Sequence, residues 1–207
     1  MIVRQSKEKI NKLLENNPNW KILDIGCSDR ASKFATDVAD ITDVSNFYHN
    51  KKFTLIDKNR PLPFKNDQFD FVICSHVIEH VENIEFFIKE LQRISQQGYI
   101  ELPSRLEDNL VFVNKLAHLW WFDYDDDEKK LLYDKKSQIL EPLMSVNLAW
   151  EFRKKFKESF IIQLYWKNTI EIEKNNLRFQ NIDKISRFKI IKKFLSFYLR
   201  KFLKFKN

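Results

Sequence analysis

The chain has 207 residues, 43% of them hydrophobic and 31% charged, with a formal net charge of +7. That length suits one domain with decoration, and no run approaches the ~20 uninterrupted apolar residues that a bilayer-spanning helix needs. The opening MIVRQSKEKI lacks the apolar core of a secretory signal, and two cysteines without zinc spacing read as buried thiols of a reducing cytoplasm.

In chain order, residues 4–15 pattern as a short amphipathic helix that ends near Asn16-Asn17-Pro18. KILDIGC (21–27) reads as a buried strand closed by a glycine. ATDVADI (35–41) and FTLID (53–57) read as the second and third strands, and PLPFKNDQ (61–68) as a loop. FDFVICS (69–75) is the fourth strand, and residues 81–94 carry helical spacing. Gly98 is expected to end that helix, with YIEL (99–102) as a fifth strand stopped by Pro103. Strands alternating with helices predict an α/β fold with a mostly parallel sheet. Beyond Pro103 the pattern predicts a helix over 106–119, a hairpin over 118–134 around an acidic turn, and a helix over 141–157. Strands at 159–166 and 169–174 follow, then a basic amphipathic helix at about 182–205.

The charge is uneven. From Arg178 onward ten basic residues face the single acid Asp183, a net +9, which leaves residues 1–177 at −2. The body therefore lacks the electrostatic footprint of a nucleic-acid binder. The division expected is a domain over 1–177, with a core at about 20–104 and substrate-side insertions at 105–177, and a basic segment at 178–207. That segment places Ile185, Phe188, Ile191, Phe194, Leu195, Tyr198, Leu199 and Phe202 largely on one stripe, which suits a membrane surface, a helix packed on the domain's own body, or contact with nucleic acid or another partner.

Ligands of open parallel sheets sit beyond the carboxyl ends of the strands. There stand Asp24-Ile25-Gly26-Cys27-Ser28-Asp29, then Asp40, Asp57 and Ser75-His76. Carboxylates at three successive strand ends suit a ligand with hydroxyls and amines. A dinucleotide loop would need further glycines after Gly26, and the positions there are Cys27, Ser28, Asp29 and Arg30; no phosphate-loop Gly-Lys-Ser/Thr occurs. His76-x-x-x-His80 shares a helix face, but Val77 follows His76 where a zincin has glutamate, so no metal is expected on that pattern. Glu79 and His80 are read as mainly structural. The acids Asp123 to Glu128 read as a solvated turn.

KILDIGC followed by DKNRPLPFKNDQFDFVICSHVIEHVEN (57–83) resembles class I S-adenosylmethionine-dependent methyltransferases, in particular the small-molecule group with a D…LPF…FD…SHVLEH block. The resemblance covers about residues 20–104, extends weakly through GYIELPS and HLWWF, and implies a Rossmann-like sheet with S-adenosylmethionine as cofactor. It implies that Asp24, Gly26, Cys27 and Ser28 face the methionine end, that Asp40 accepts from the ribose hydroxyls, and that Asp57 with Lys58 lies by the adenine. Ser75 and His76 would meet the sulfonium and the acceptor, with His76 the candidate general base, and His118 and Trp120 would line the acceptor pocket. The family usually has a second glycine where Ser28 stands, and only residues 27–39 separate Gly26 from Asp40, so the first crossover helix must be short or replaced by a loop. The expected activity is methyl transfer to a small-molecule, glycan or lipid-linked acceptor in the cytoplasm, with peripheral contact to the inner membrane face through the tail. The alternative is a non-catalytic cofactor-binding or partner subunit.

Overall fold

The structure, a computed structural model, describes residues 1–175 and 184–204. In chain order the elements are β1 (Ile2–Arg4), α1 (Lys7–Glu15), β2 (Ile22–Ile25), β3 (Asp37–Asp40), β4 (Lys52–Leu55), β5 (Phe71–Ser75), α2 (Ile84–Ile94) and β6 (Gln97–Pro103). Then come α3 (Arg105–Leu110), α4 (Asn114–Ala117), β7 (Trp120–Asp125), β8 (Lys130–Lys135), α5 (Val146–Lys155), α6 (Lys157–Phe160), β9 (Ile161–Lys167), β10 (Ile172–Lys174) and α7 (Arg187–Lys204).

Seven strands form one sheet in the order β1-β9-β6-β5-β2-β3-β4. The run β6-β5-β2-β3-β4 is parallel, and β9 is antiparallel to both β6 and β1. This is the α/β, Rossmann-like arrangement expected, with the order reversing outward from β2 in one direction and β5 in the other. Such a switch point leaves a crevice at the strand ends.

Alternation along the strands assigns the two faces. Ile22, Phe71, Ile73 and Tyr99 point to one side and pack under Ile10 and Leu14 of α1. Leu23, Ile25, Val72, Cys74, Ile100 and Leu102 point to the other, where Ile84, Phe87, Ile88 and Leu91 of α2 cover them. The same core takes Phe122, Tyr124, Leu131 and Tyr133 from a second sheet, β10-β8-β7. Asn83 caps α2 by accepting from the Phe86 N–H, and Ser6 caps α1 by accepting from the Lys9 N–H.

Several expectations change. The first residues form an edge strand before the helix begins, because β1 pairs with β9 from the far end of the chain. Gly98 does not end α2, which stops at Ile94 with Ser95 as its cap. It sits inside β6, where a Cβ would lie 2.3 Å from the Val72 carbonyl oxygen and 2.7 Å from Trp166 Nε1. The helix expected over 106–119 is two short helices, broken where Val111 bridges to Met144. The helix expected over 141–157 begins only at Val146, capped by Ser145, since Leu140 pairs with Ile185. Strand 169–174 shortens to β10, which adds in parallel to β8. The large sheet also reaches beyond residue 104, because β9 inserts between β6 and β1. Residues 26–36 carry no helix, as the short spacing from Gly26 to Asp40 requires.

Candidate active site

Without a crossover helix after β2, the loop 26–36 lies along the sheet end and leaves a cavity of about 390 Å³. Asp24, Gly26 and Cys27 line it from the end of β2, Ser75 from β5 and Tyr99 from β6; α1 contributes Lys7 and Asn11, and the loop Arg30 and Ser32. That volume lies in the ~300–1,000 Å³ range of small-molecule sites.

Asp24 is buried at this mouth, and its Oδ2 accepts from the Ser32 N–H at 2.6 Å. Burial pushes its pKa up to about 6, against the pull of the Ser32 hydrogen bond and of Lys7 and Lys51. Gly26 takes a φ of +74°, and a Cβ there would lie 2.2 Å from Val77 Cγ2, so the tight turn under the β5 end needs glycine. Ser28, standing where a second glycine is usual, also adopts the left-handed region at φ +47°. The turn keeps its shape with a serine, at a strain of roughly 1–2 kcal/mol. The Ser28 N–H donates to Asp40 Oδ2 at 2.9 Å, while Asp40 Oδ1 accepts from Thr42 N–H. Burial holds the Cys27 thiol up at about 11, which leaves it unreactive.

Ser75 Oγ is buried without a hydrogen-bond partner and lines the cavity. A buried hydroxyl of this kind lacks about 1–3 kcal/mol of compensation until a ligand supplies it. With Asp24 beside it, the mouth offers hydrogen-bond acceptors and a negative charge to a cationic, amine-bearing ligand such as S-adenosylmethionine; these residues fit that cofactor.

Other predicted residues lie elsewhere. Ser28, Asp40, Asp57, Lys58 and His76 do not line the cavity; Asp57 is exposed, accepts from Asn59 N–H and pairs with Arg60 at 3.3 Å. Lys58 reaches the other way and donates from Nζ to the His80 carbonyl oxygen at 2.6 Å. Trp120 anchors the hairpin by donating Nε1–H to the Val81 carbonyl oxygen at 2.8 Å and meets Tyr133 edge-on. His118 stands 4.6 Å from His80, ring to ring, with Nδ1 against the Asp108 carboxylate.

His76 follows Ser75 with φ +56°, and both ring nitrogens face carboxylates: Nδ1 lies 3.2 Å from Glu79 Oε1 and Nε2 3.6 Å from Glu101 Oε1. Burial disfavours the charged ring, but Glu101 and Glu79 outweigh it and raise the pKa to about 9. At neutral pH the side chain is an imidazolium, so a general-base role would first require it to lose that proton. Glu101 is buried too; burial opposes its charge, but His76, Lys7, Tyr99 and Gln163 together hold its pKa well below the usual carboxylate range. Tyr99 and Gln163 each donate to its Oε2 at 2.6 Å. Sequence reading missed Glu101, Lys7 and Ser32. The signal for Glu101 was available: one acid inside the apolar strand YIEL.

Residues 3–139 match the family described as a methyltransferase domain. A curated relative, the "Probable polyketide synthase 26" of Dictyostelium discoideum, is 31% identical over 109 residues; the match takes in 47% of this chain and 4% of that protein's length. Among solved structures, the trans-methyltransferase CalH in complex with SAH aligns at 18% identity with a TM-score of 0.39, covering 46% of this chain and 35% of that one. An S-adenosylmethionine-dependent methyltransferase from Mesorhizobium loti aligns at 14% identity with a TM-score of 0.39, covering 44% and 50%. The match over 3–139 spans most of the chain, and with it the chain belongs to the methyltransferase domain family.

Proposed function

We propose that the protein passes the methyl group of S-adenosylmethionine to an oxygen, nitrogen or carbon of a small glycan or lipid-linked acceptor delivered at a membrane surface. The observation that carries the cofactor part is the cavity at the ends of β2 and β5, with Ser75 Oγ unpartnered beside the buried carboxylate of Asp24. The sulfonium supplies the electrophile when the cofactor is bound. The chain's own contribution is then positioning and exclusion of water. Asp24 and the Gly26 turn hold the methionine end, and Asp40 accepts from the ribose while fixing the Ser28 turn. Charged His76, held between Glu79 and Glu101, fixes the backbone that follows Ser75 at the β5 end. The acceptor part is supported by α7, whose apolar side chains stand exposed among lysines and arginines.

Calorimetric titration of the purified chain with S-adenosylmethionine and its demethylated product tests the cofactor site. Saturable binding is expected, weakened tenfold or more in Asp40→Ala, which loses the acceptor that holds the Ser28 turn next to Cys27 of the cavity wall, and less in Asp57→Ala, whose exposed carboxylate pairs only with its own turn and Arg60. Absence of binding by the wild-type chain would favour the rival reading, a partner subunit that keeps the fold alone.

A further inference from the structure

We infer that Glu79, His80 and His118 form a binding site for one divalent first-row transition ion, placed directly behind His76. Glu79 and His80 belong to a 3₁₀ turn, Ile78–His80, that follows β5, and His118 precedes β7. One potential ligand atom from each lies within 4.8 Å of the other two.

The surroundings treat these side chains as metal ligands are treated. His80 Nδ1 lies 2.8 Å from the Ala117 carbonyl oxygen, which can only accept, so Nδ1 carries the hydrogen and Nε2 keeps its lone pair. His118 does the same against Asp108, a carboxylate whose own charge is answered by Lys136 at 2.7 Å. An imidazole that donates one N–H to a carbonyl or carboxylate while its other nitrogen stays free is the usual outer support of a metal site. Glu79 is fully buried; its Oε1 serves His76, but its Oε2 has no hydrogen-bond partner. A buried carboxylate oxygen without a donor is costly unless a cation faces it.

The two segments are also fixed against one another. The Leu119 N–H donates to the Glu79 carbonyl oxygen at 2.8 Å, and Trp120 Nε1–H to that of Val81, so His118 is held in register with the turn. Metal bonds of about 2.1 Å would draw each side chain inward by less than about 1 Å. Two imidazole nitrogens and one carboxylate oxygen select zinc, cobalt, manganese or iron over magnesium and calcium, which seek oxygen alone. Three protein ligands leave a position for an acceptor oxygen, whose pKa the ion would lower. That use rests on the proposed methyl transfer; the binding of the ion does not.

The test is direct binding to the chelator-treated full chain, with folding followed by circular dichroism and S-adenosylmethionine affinity measured separately. One equivalent of Zn²⁺ or Mn²⁺ is expected by calorimetry, and Co²⁺ should give the visible d–d absorption of a protein-bound ion. His118→Asn and His80→Asn should each weaken binding at least tenfold with the fold retained; Glu79→Gln, the more buried change, serves as a third arm. No stoichiometric binding of any of the three ions, or histidine variants that stay folded and bind as tightly as the wild type, would overturn the inference. Cofactor binding without ion binding would sink this site and leave the methyltransferase reading standing; ion binding without cofactor binding would do the reverse.

Discussion

Asp24 shows how the site sets local stability against function. Its carboxyl group has a pKa of about 6 in the fold because burial opposes the charge, against 3.8 for the unperturbed group. The sign follows from linkage. The folded state holds a proton on Asp24 more tightly than the unfolded chain, so folding stability from this group is full below about pH 4 and falls as pH rises toward 6. Above pH 6 the ionised carboxylate weakens the fold by roughly 1–3 kcal/mol. Asp24→Asn keeps an oxygen to accept from Ser32 N–H and removes the charge. Urea denaturation should therefore show the variant more stable than wild type by about that amount at pH 7.5 and nearly equal at pH 4. Cofactor affinity should move oppositely. A cationic ligand favours the ionised form, so wild-type affinity should drop about tenfold per pH unit below 6, and Asp24→Asn should bind weakly with no such slope. A wild-type affinity that stays flat from pH 5 to 7.5 would remove Asp24 from the cofactor site.

At the scale of elements, a buried ion pair joins two of the appended helices, α5 and α3. Arg153 of α5 donates to Glu107 of α3 from Nε at 2.6 Å and from its terminal nitrogen to the second oxygen, and Glu107 is almost wholly buried. Removing one partner strands a buried charge, which destabilises by about 3–5 kcal/mol, whereas replacing both removes the problem. Arg153→Met should lower the urea midpoint strongly, and Arg153→Met with Glu107→Leu should recover most of the loss; two losses that simply add would show that the pair is not coupled. Much of the element pattern was legible in the residues. The buried strands β2, β3, β5 and β6, helix α2 and the β7–β8 hairpin follow from apolar runs and periodicity that short windows contain. What was missed depends on partners far along the chain. Three residues at 2–4 carry no period, and only β9, some 160 residues later, makes them a strand. The helices expected over 106–119 and 141–157 end or begin where Val111 meets Met144 and Leu140 meets Ile185. The site divides the same way. Asp24, Gly26 and Ser75 stand at strand ends that the sequence marks, while Glu101 and Lys7 reach the site through face and packing, which no linear spacing records.

At the scale of the whole molecule, α7 is the part the fold does not absorb. Phe188, Ile191, Leu195 and Tyr198 follow helical spacing on one stripe and are 75%, 54%, 54% and 52% exposed. Between Lys184 and Lys204 there are eight lysines and arginines and no acid. The helix is held at its start, where Ile185 pairs with the backbone of Ile139 and Glu141 and Arg187 lies over the Phe112 ring. Phe112, Val113 and Leu116 continue the exposed apolar surface from there toward the turn that carries His118. No helix among the described residues is long and apolar enough to cross a membrane. An apolar stripe flanked by cations suits the surface of an anionic bilayer, where each Lys or Arg near the lipid contributes about 1 kcal/mol and each buried large apolar side chain up to about 1.5–3 kcal/mol. The full chain should therefore sediment with vesicles of mixed neutral and anionic phospholipid, less with purely neutral ones, and less again in 0.5 M salt (roughly a 4 Å Debye length). Ile191→Asn with Leu195→Asn keeps every charge and should cut the partitioning tenfold or more. A chain ending at residue 183 should stay in solution with its cofactor affinity unchanged; if it pellets as fully as the intact protein, the membrane contact lies elsewhere and the lipid-linked acceptor loses its support.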